Sequence, residues 1–378
     1  MKGKCILCKN NISNSILLSF INMPASAQNI PSKDELITDK SITLNLCQCN
    51  KCGLVQLDVT PVDYYKKVIR AGGGSSTMIN LRNEEYKLFI EKFNLKGKKI
   101  IEIGCGAGEF LKCWKNFDVH AIGLEYDQGL TQKAKELGLE VYQGYADDAN
   151  YTIPGAPFDA FTQFNFLEHQ PNPNEMLQCI YNNLTPNGVG LVTVPSLEYI
   201  LKYDGYYELI RDHIAYYSEQ SIRLLFENNG FDIVCIRTVN RDTHELMVRK
   251  RLSIDISSWS KNFGILSNEL KEYIDLYKKE YKRLAIWGGS HQGFTLIPSL
   301  GISEDFEYII DSAPFKQGRY APASHIKIVS PEHFYKDPVD TVLIIAPGYT
   351  KEISELIRKN VKINIDIRTL RSNHLEKI

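Results

Sequence analysis

The stretch Lys99-Ile100-Ile101-Glu102-Ile103-Gly104-Cys105-Gly106-Ala107-Gly108-Glu109-Phe110-Leu111 constrains this chain more than any other. An apolar run, a glycine loop and a resumed apolar pattern read as strand, tight turn and helix. Glycines let a backbone turn sharply and approach a ligand closely, and a helix that starts there presents unpaired N–H groups. A pyrophosphate-binding turn spaces its glycines G-x-G-x-x-G. Here they fall as G-x-G-x-G, with Glu102 two residues ahead of the first. An acid at that point suits a cationic ligand better than a pyrophosphate. The next apolar run, 119–124, ends at Glu125, where a carboxylate can accept both hydroxyls of a ribose. Each feature alone also fits a structural turn or a surface acid. Together they favour a nucleoside cofactor.

The surrounding pattern is α/β. A helical pattern over 77–93 precedes the loop, and apolar runs at 119–124, 140–142, 160–164 and 190–194 alternate with helical stretches. Such alternation predicts a parallel sheet covered by helices. A polar helical stretch, 267–281, reads as a connector, and a second α/β pattern follows, with strands at 283–287, 308–310 and 341–346 and a glycine turn after the first. With 378 residues the chain exceeds one typical core. The reading is three domains, at 1–75, 76–262 and 263–378. Formal net charge is −1, which argues against a nucleic-acid partner and leaves small molecules. No apolar run approaches the length of a membrane span. No signal-like apolar region follows Met1-Lys2-Gly3-Lys4, so a cytoplasmic protein, monomer or homodimer, is expected.

The glycine loop resembles that of class I S-adenosylmethionine (SAM) methyltransferases. The resemblance implies that Glu102, Gly104, Gly106, Gly108 and Glu125 hold SAM. It also places Ala146, in Gly144-Tyr145-Ala146-Asp147, and Asn165, in Phe164-Asn165-Phe166-Leu167-Glu168-His169, around the cofactor. The dipeptide Glu168-His169 recurs at this point in enzymes with different substrates, so it is read as architectural. Leu184-Thr185-Pro186-Asn187-Gly188 resembles the turn before the fifth strand.

Cysteines cluster in the first block. Cys5-x2-Cys8 and Cys49-x2-Cys52 form two knuckles, the pattern of a tetrahedral structural zinc site. Such a site staples a small domain that lacks a large core. Cys47 is a fifth candidate that could replace Cys49, although the knuckle spacing favours Cys49. A redox pair or free thiols are the alternatives. Cys105, Cys113, Cys179 and Cys235 lie in apolar patterns and read as core.

The order of cysteine block, SAM domain and second Rossmann-like domain resembles the sugar C-methyltransferases that act on nucleotide-linked deoxysugars. Cys49-Asn50-Lys51-Cys52-Gly53-Leu54-Val55-Gln56-Leu57 is similar to the family's second knuckle. Gly288-Gly289-Ser290-His291-Gln292-Gly293-Phe294-Thr295-Leu296, Asp311-Ser312-Ala313-Pro314-Phe315-Lys316-Gln317-Gly318 and Pro322-Ala323-Ser324-His325-Ile326-Lys327-Ile328 are similar to its last domain. The resemblance implies a catalytic base at His213, in Arg211-Asp212-His213-Ile214-Ala215-Tyr216-Tyr217-Ser218, with Asp212 where the family has Glu to orient or charge-stabilise the imidazole. It departs at Ile210, where a tyrosine is usual, and over 70–77, where a tyrosine-rich segment is usual.

The implied reaction is C-methylation. A 4-keto sugar acidifies its C3–H, a base removes that proton, and the enolate attacks the sulfonium methyl. A histidine suits the base because its ordinary pKa lies near working pH. Tyr216, Tyr217, Ser75 and Arg70 are the candidates to stabilise the enolate oxygen. O-methylation of a nucleotide-linked or capsular sugar and a non-catalytic SAM-binding zinc scaffold remain the alternatives. The C-terminal glycine turn lacks a clean dinucleotide spacing and reads as a degenerate Rossmann domain.

Overall fold

A computed structural model describes residues 2–67, 74–252, 254–371 and 374–378. The chain divides into two compact units, Met1–Ser253 and Ile254–Ile378.

In the first unit, β1 (Ile16–Met23), β2 (Ile42–Gln48) and β3 (Val55–Leu57) form an antiparallel ribbon. Helix α1 (Ser76–Phe93) starts where the Ser75 hydroxyl accepts from the Met78 N–H, and it ends at Asn94 in the left-handed region. Then follow β4 (Lys99–Ile103), β5 (His120–Glu125), α2 (Gln128–Glu136), β6 (Val141–Gln143), β7 (Phe158–Phe164), α3 (Pro173–Asn182), β8 (Leu184–Pro195), α4 (Leu197–Lys202), β9 (Ala215–Tyr216), α5 (Glu219–Asn228), β10 (Phe231–Val239) and β11 (Thr243–Lys250).

The described strands build a seven-stranded sheet in the order β10-β11-β8-β7-β4-β5-β6. All neighbours are parallel except around β11, which runs antiparallel to both β8 and β10. This is the expected class I arrangement. The order reverses at β4, so the carboxyl ends of β4 and β7 open a crevice where a ligand binds. Strand β4 is buried on both faces, as its unbroken apolar run requires. The segment read as a turn before the fifth strand belongs to β8 itself.

The cysteine block is not a separate body. Strand β3 pairs with β9 through Val55 and Tyr216. Cys5, Ile6, Leu7 and Ile12 share one apolar cluster with Leu177, Ile214 and Tyr217. The division expected at 75/76 is therefore absent as a boundary between compact units: this block lacks a core of its own and shares that of the sheet domain.

The second unit begins at Ile254 rather than at 263. Its first helix, α6 (Ser257–Lys279), is no free connector. Leu266, Leu270 and Ile274 on it pack against Leu284 and Ile286. Next come β12 (Leu284–Trp287), α7 (His291–Ser299), β13 (Tyr308–Ile310), β14 (Ile328–Val329), α8 (Pro331–Lys336), β15 (Thr341–Ile344), α9 (Thr350–Asn360), β16 (Asp366–Arg371) and β17 (His374–Lys377). The order β14-β13-β12-β15-β16-β17 is parallel up to the antiparallel edge pair β16 and β17. This is the Rossmann-like second α/β domain expected from the sequence. At its glycine turn, a Cβ on Gly288 would lie 2.7 Å from the Ile345 carbonyl. Among the described residues no helix is long and apolar enough to cross a membrane.

Candidate active site

The glycine loop leaves β4 with Gly104, Gly106 and Gly108 all at positive φ, 68°, 61° and 86°. A Cβ on Gly108 would run into Leu139, and one on Gly106 would lie 2.8 Å from the Glu109 carboxylate. Glycine is required here for conformation and for packing. Glu125, at the end of β5, is buried and accepts from the Gly106 N–H at 2.9 Å and from the Asp127 N–H at 2.8 Å. The strand end thus fixes a carboxylate against the loop.

Gly104, Gly106, Glu125 and Asn165 line one cavity of about 280 Å³ together with Glu168, His169 and His213. Ala146 lines a small cleft beside it, with Tyr145 and Phe166. Glu102 lies beneath, buried, and accepts from the Tyr86 hydroxyl at 3.3 Å. Gly108 shapes the turn and lines neither space. The residues fit a nucleoside cofactor such as SAM: a glycine cradle that a Cβ would fill, with a buried carboxylate beside it.

A second cavity, of about 390 Å³, adjoins the first. Its walls include Ser75, Arg82, Glu85, Thr193, Ser196, Tyr199, Glu208 and Asp242. Asn165 and His213 line both cavities. Asn165 holds a positive φ of 45° at the end of β7, and its Oδ1 accepts from the Thr193 hydroxyl at 2.7 Å.

The structure revises several of the roles expected from sequence. His213 is half-buried, and burial, with His169 beside it, pushes its pKa down to about 3. It is therefore neutral at working pH, for a reason other than an ordinary histidine pKa. Asp212 does not orient it by a carboxylate hydrogen bond. Its Oδ1 accepts from the Tyr64 hydroxyl at 2.6 Å and its Oδ2 from the Ala27 N–H at 2.9 Å. Asp212 thus ties the cysteine block to the cavity wall. Tyr216 is buried with its hydroxyl on the Ile210 backbone, accepting from N at 3.0 Å and donating to O at 3.4 Å. Tyr217 is fully buried, and its hydroxyl finds no partner among the described residues. Neither tyrosine lines either cavity, so both leave the enolate-stabilising set. Ser75 lines the second cavity while capping α1. Arg70 lies outside the described residues.

Other groups emerge only in three dimensions. His169, read as architectural, stacks edge-on against His213 with ring centroids 4.7 Å apart, and its Nδ1 donates to the Asp212 carbonyl at 2.8 Å. Burial lowers its pKa to about 4. Lys66 enters the first cavity from the cysteine block, pairs with Asp147 and lies over the Tyr145 ring at 4.6 Å. Nothing local in the sequence marks Tyr64 or Lys66, because their partners lie far along the chain.

The four knuckle cysteines converge. Cys5 and Cys52 place their sulfurs 3.5 Å apart, as do Cys8 and Cys49, and all four sulfurs lie within 4.8 Å of one another. Four thiolates at about 2.3 Å from one zinc would stand about 3.8 Å apart, and a disulfide would need about 2.05 Å. Cys47 is outside the cluster, its thiol toward the Asn45 carbonyl at 3.8 Å.

Residues 78–236 match the family model of a methyltransferase domain, and residues 254–364 match that of a C-methyltransferase C-terminal domain. The C-methyltransferase NovU of Streptomyces niveus is 22% identical over 371 residues, which cover 89% of this chain and 88% of its own. A ubiquinone biosynthesis O-methyltransferase of Pseudomonas putida (strain W619) is 26% identical over 129 residues, 30% of this chain and 56% of its own. Among solved structures, the PH0226 protein from Pyrococcus horikoshii OT3 superposes with a TM-score of 0.42 at 15% identity, over 50% of this chain and all of that one. A glycine-loop methyltransferase domain followed by a match to a C-methyltransferase C-terminal domain makes this chain a SAM-dependent methyltransferase, similar over most of its length to a C-methyltransferase.

Proposed function

We propose that the chain methylates a carbon, C3, of a nucleotide-linked 4-keto deoxysugar, with His213 as the base. The observation that carries this reading is the shared wall: His213 and Asn165 face both the glycine-loop cavity and the larger cavity beside it. A methyl group passing between two bound molecules must cross at such a junction. SAM, when bound, supplies the electrophilic methyl.

The residues then divide the work. A neutral His213 imidazole takes the C3 proton, and the C–H electron pair moves into an enolate. The Asn165 Oδ1 is occupied by Thr193, which leaves its amide N–H donors for the developing oxyanion. The enolate carbon forms the new bond to the methyl, the sulfur–methyl bond breaks, and His213 passes its proton to solvent. His169 packs against the base and holds its ring from one side. The negative enolate offsets the low proton affinity that burial gives His213, because an adjacent anion stabilises an imidazolium. In the same reading the four-cysteine cluster binds a structural zinc, whose closed thiolate shell leaves no position for chemistry.

Proton abstraction can be followed without methyl transfer. The protein is incubated in D2O with TDP-, UDP-, GDP- and CDP-linked 4-keto-6-deoxysugars, and the C3 proton signal is followed by NMR. The reading expects washout with one of these sugars and its loss in His213→Ala, with cofactor binding intact. Washout at an unchanged rate in the variant would overturn the assignment of the base.

A further inference from the structure

Glu168 follows β7 closely, is 2% exposed and has no part in the chemistry above. It stands with His169 and His213 in the wall of the glycine-loop cavity. One carboxylate oxygen and one nitrogen from each imidazole lie within 4.8 Å of one another. Glu168 Oε1 is 3.9 Å from His169 Nε2.

Hydrogen bonding fixes which His169 nitrogen is bare. A carbonyl only accepts, so the Nδ1 that bonds the Asp212 carbonyl carries the proton of the neutral ring. Nε2 therefore presents a lone pair, and a carboxylate oxygen faces it. Two acceptors held together in a buried place repel each other unless a cation stands between them. His213, edge-on to His169, brings the third donor.

Two neutral imidazoles and a carboxylate are a donor set for zinc and similar ions. A ligating histidine is commonly held by its other nitrogen on a backbone carbonyl, as His169 is here. An ion at about 2.1 Å from both groups would bring Oε1 and Nε2 to about 3.4 Å, a closure of about 0.5 Å. The same cavity wall carries Glu109, Glu125 and Asp212 against one lysine among the described residues, Lys66, itself paired with Asp147. A sulfonium cofactor accounts for the acids, but it does not call for convergent lone pairs. We propose that Glu168, His169 and His213 bind a divalent transition-metal ion such as zinc, apart from the four-cysteine cluster, and that this ion silences the enzyme by occupying its base. A neutral imidazole has one lone pair, so a metal-bound His213 cannot take a proton from carbon. The silencing rests on His213 being the base, whereas the ion site does not.

Zinc binding and proton washout test the two parts separately. Equilibrium dialysis against zinc chloride, without cofactor, compares the full chain with His169→Gln and His213→Ala. The wild type should bind one equivalent more than either variant, in which that equivalent weakens by at least about a hundredfold. Cobalt(II) in the same position should give visible bands without the sulfur-to-metal charge transfer of a thiolate site. Equal zinc binding by wild type and His213→Ala would overturn the ion site and leave the base assignment standing. Thiolate bands from the extra equivalent would overturn it too. Should His169→Gln not fold, the half-buried position 213 decides alone through His213→Ala. In D2O, washout of the C3 proton should fall about tenfold at free zinc about ten times the dissociation constant of the site, and recover with a chelator. Unchanged washout with the extra ion bound would overturn the silencing and the base assignment together.

Discussion

Removing the Asp212 carboxylate tests whether it ties the cysteine block down or orients the imidazole. The side chain is 2% exposed and accepts two hydrogen bonds, from Tyr64 at 2.6 Å and from the Ala27 N–H at 2.9 Å. A hydrogen bond to a charged group contributes about 1.5–3 kcal/mol, and truncation leaves both donors without their acceptor. Asp212→Ala should therefore lower unfolding stability by about 3–5 kcal/mol, and Tyr64→Phe by about 1–2 kcal/mol. The two changes share one bond, so a double-mutant cycle in urea should return a coupling of about 1–2 kcal/mol. The variants should also show faster native-state proteolysis around 24–31, where the Ala27 segment loses its tether. A stable Asp212→Ala with zero coupling to Tyr64, combined with a large fall in kcat at unchanged KM, would refute this reasoning and restore the imidazole-orienting role.

Three further outcomes are expected. Glu125→Gln should weaken S-adenosylhomocysteine binding by about tenfold, because a neutral amide both accepts ribose hydroxyls less well and loosens the Gly106 N–H contact; unchanged affinity by titration would remove Glu125 from the site. His169, lowered from 6.5 to about 4 by burial, binds a proton more readily in the unfolded chain. Its contribution is present above pH 6.5 and lost as pH falls toward 4, so stability should drop by about 2 kcal/mol by pH 5 from this group, and His169→Gln should flatten the urea-midpoint slope over that range. Cys5→Ser should release one zinc per chain by colorimetric assay and destabilise the first unit, whereas Cys47→Ser, outside the cluster, should keep the metal.

The sheet domain was legible because its signals are local. Lys99–Ile103, the glycine loop and Glu125 lie within one short stretch, and the physics of a tight turn dictates the residues. The hairpin of β10 and β11 was not read. Its turn places Asn240 and Arg241 at φ 47° and 72°, and arginine carries no turn signature. The solvent-facing β1 lacks an alternating buried face, so its pattern is weak. At the site, the sequence named His213 only through a resemblance. The same resemblance assigned Asp212 to the imidazole, and Tyr216 and Tyr217 joined the chemistry as its neighbours in sequence. In a loop and a two-residue strand they point to Tyr64, to the Ile210 backbone and into the core. Arg82 and Glu85 were invisible for the opposite reason. Charges within a helix read as solvated, and only the packing of Phe110 and Phe164 over Arg82 shows that they are buried.

Transfer of a methyl group to carbon through an enolate at His213 leaves its own signature in the product. The direct measurement supplies SAM labelled with carbon-13 in the methyl group, together with nucleotide-linked sugars with and without a 4-keto group, and reads the product by proton–carbon NMR. A labelled methyl bonded to carbon is expected, formed only from keto sugars and lost in His213→Ala. A methyl bonded to oxygen, or transfer to sugars that carry no ketone, would contradict it.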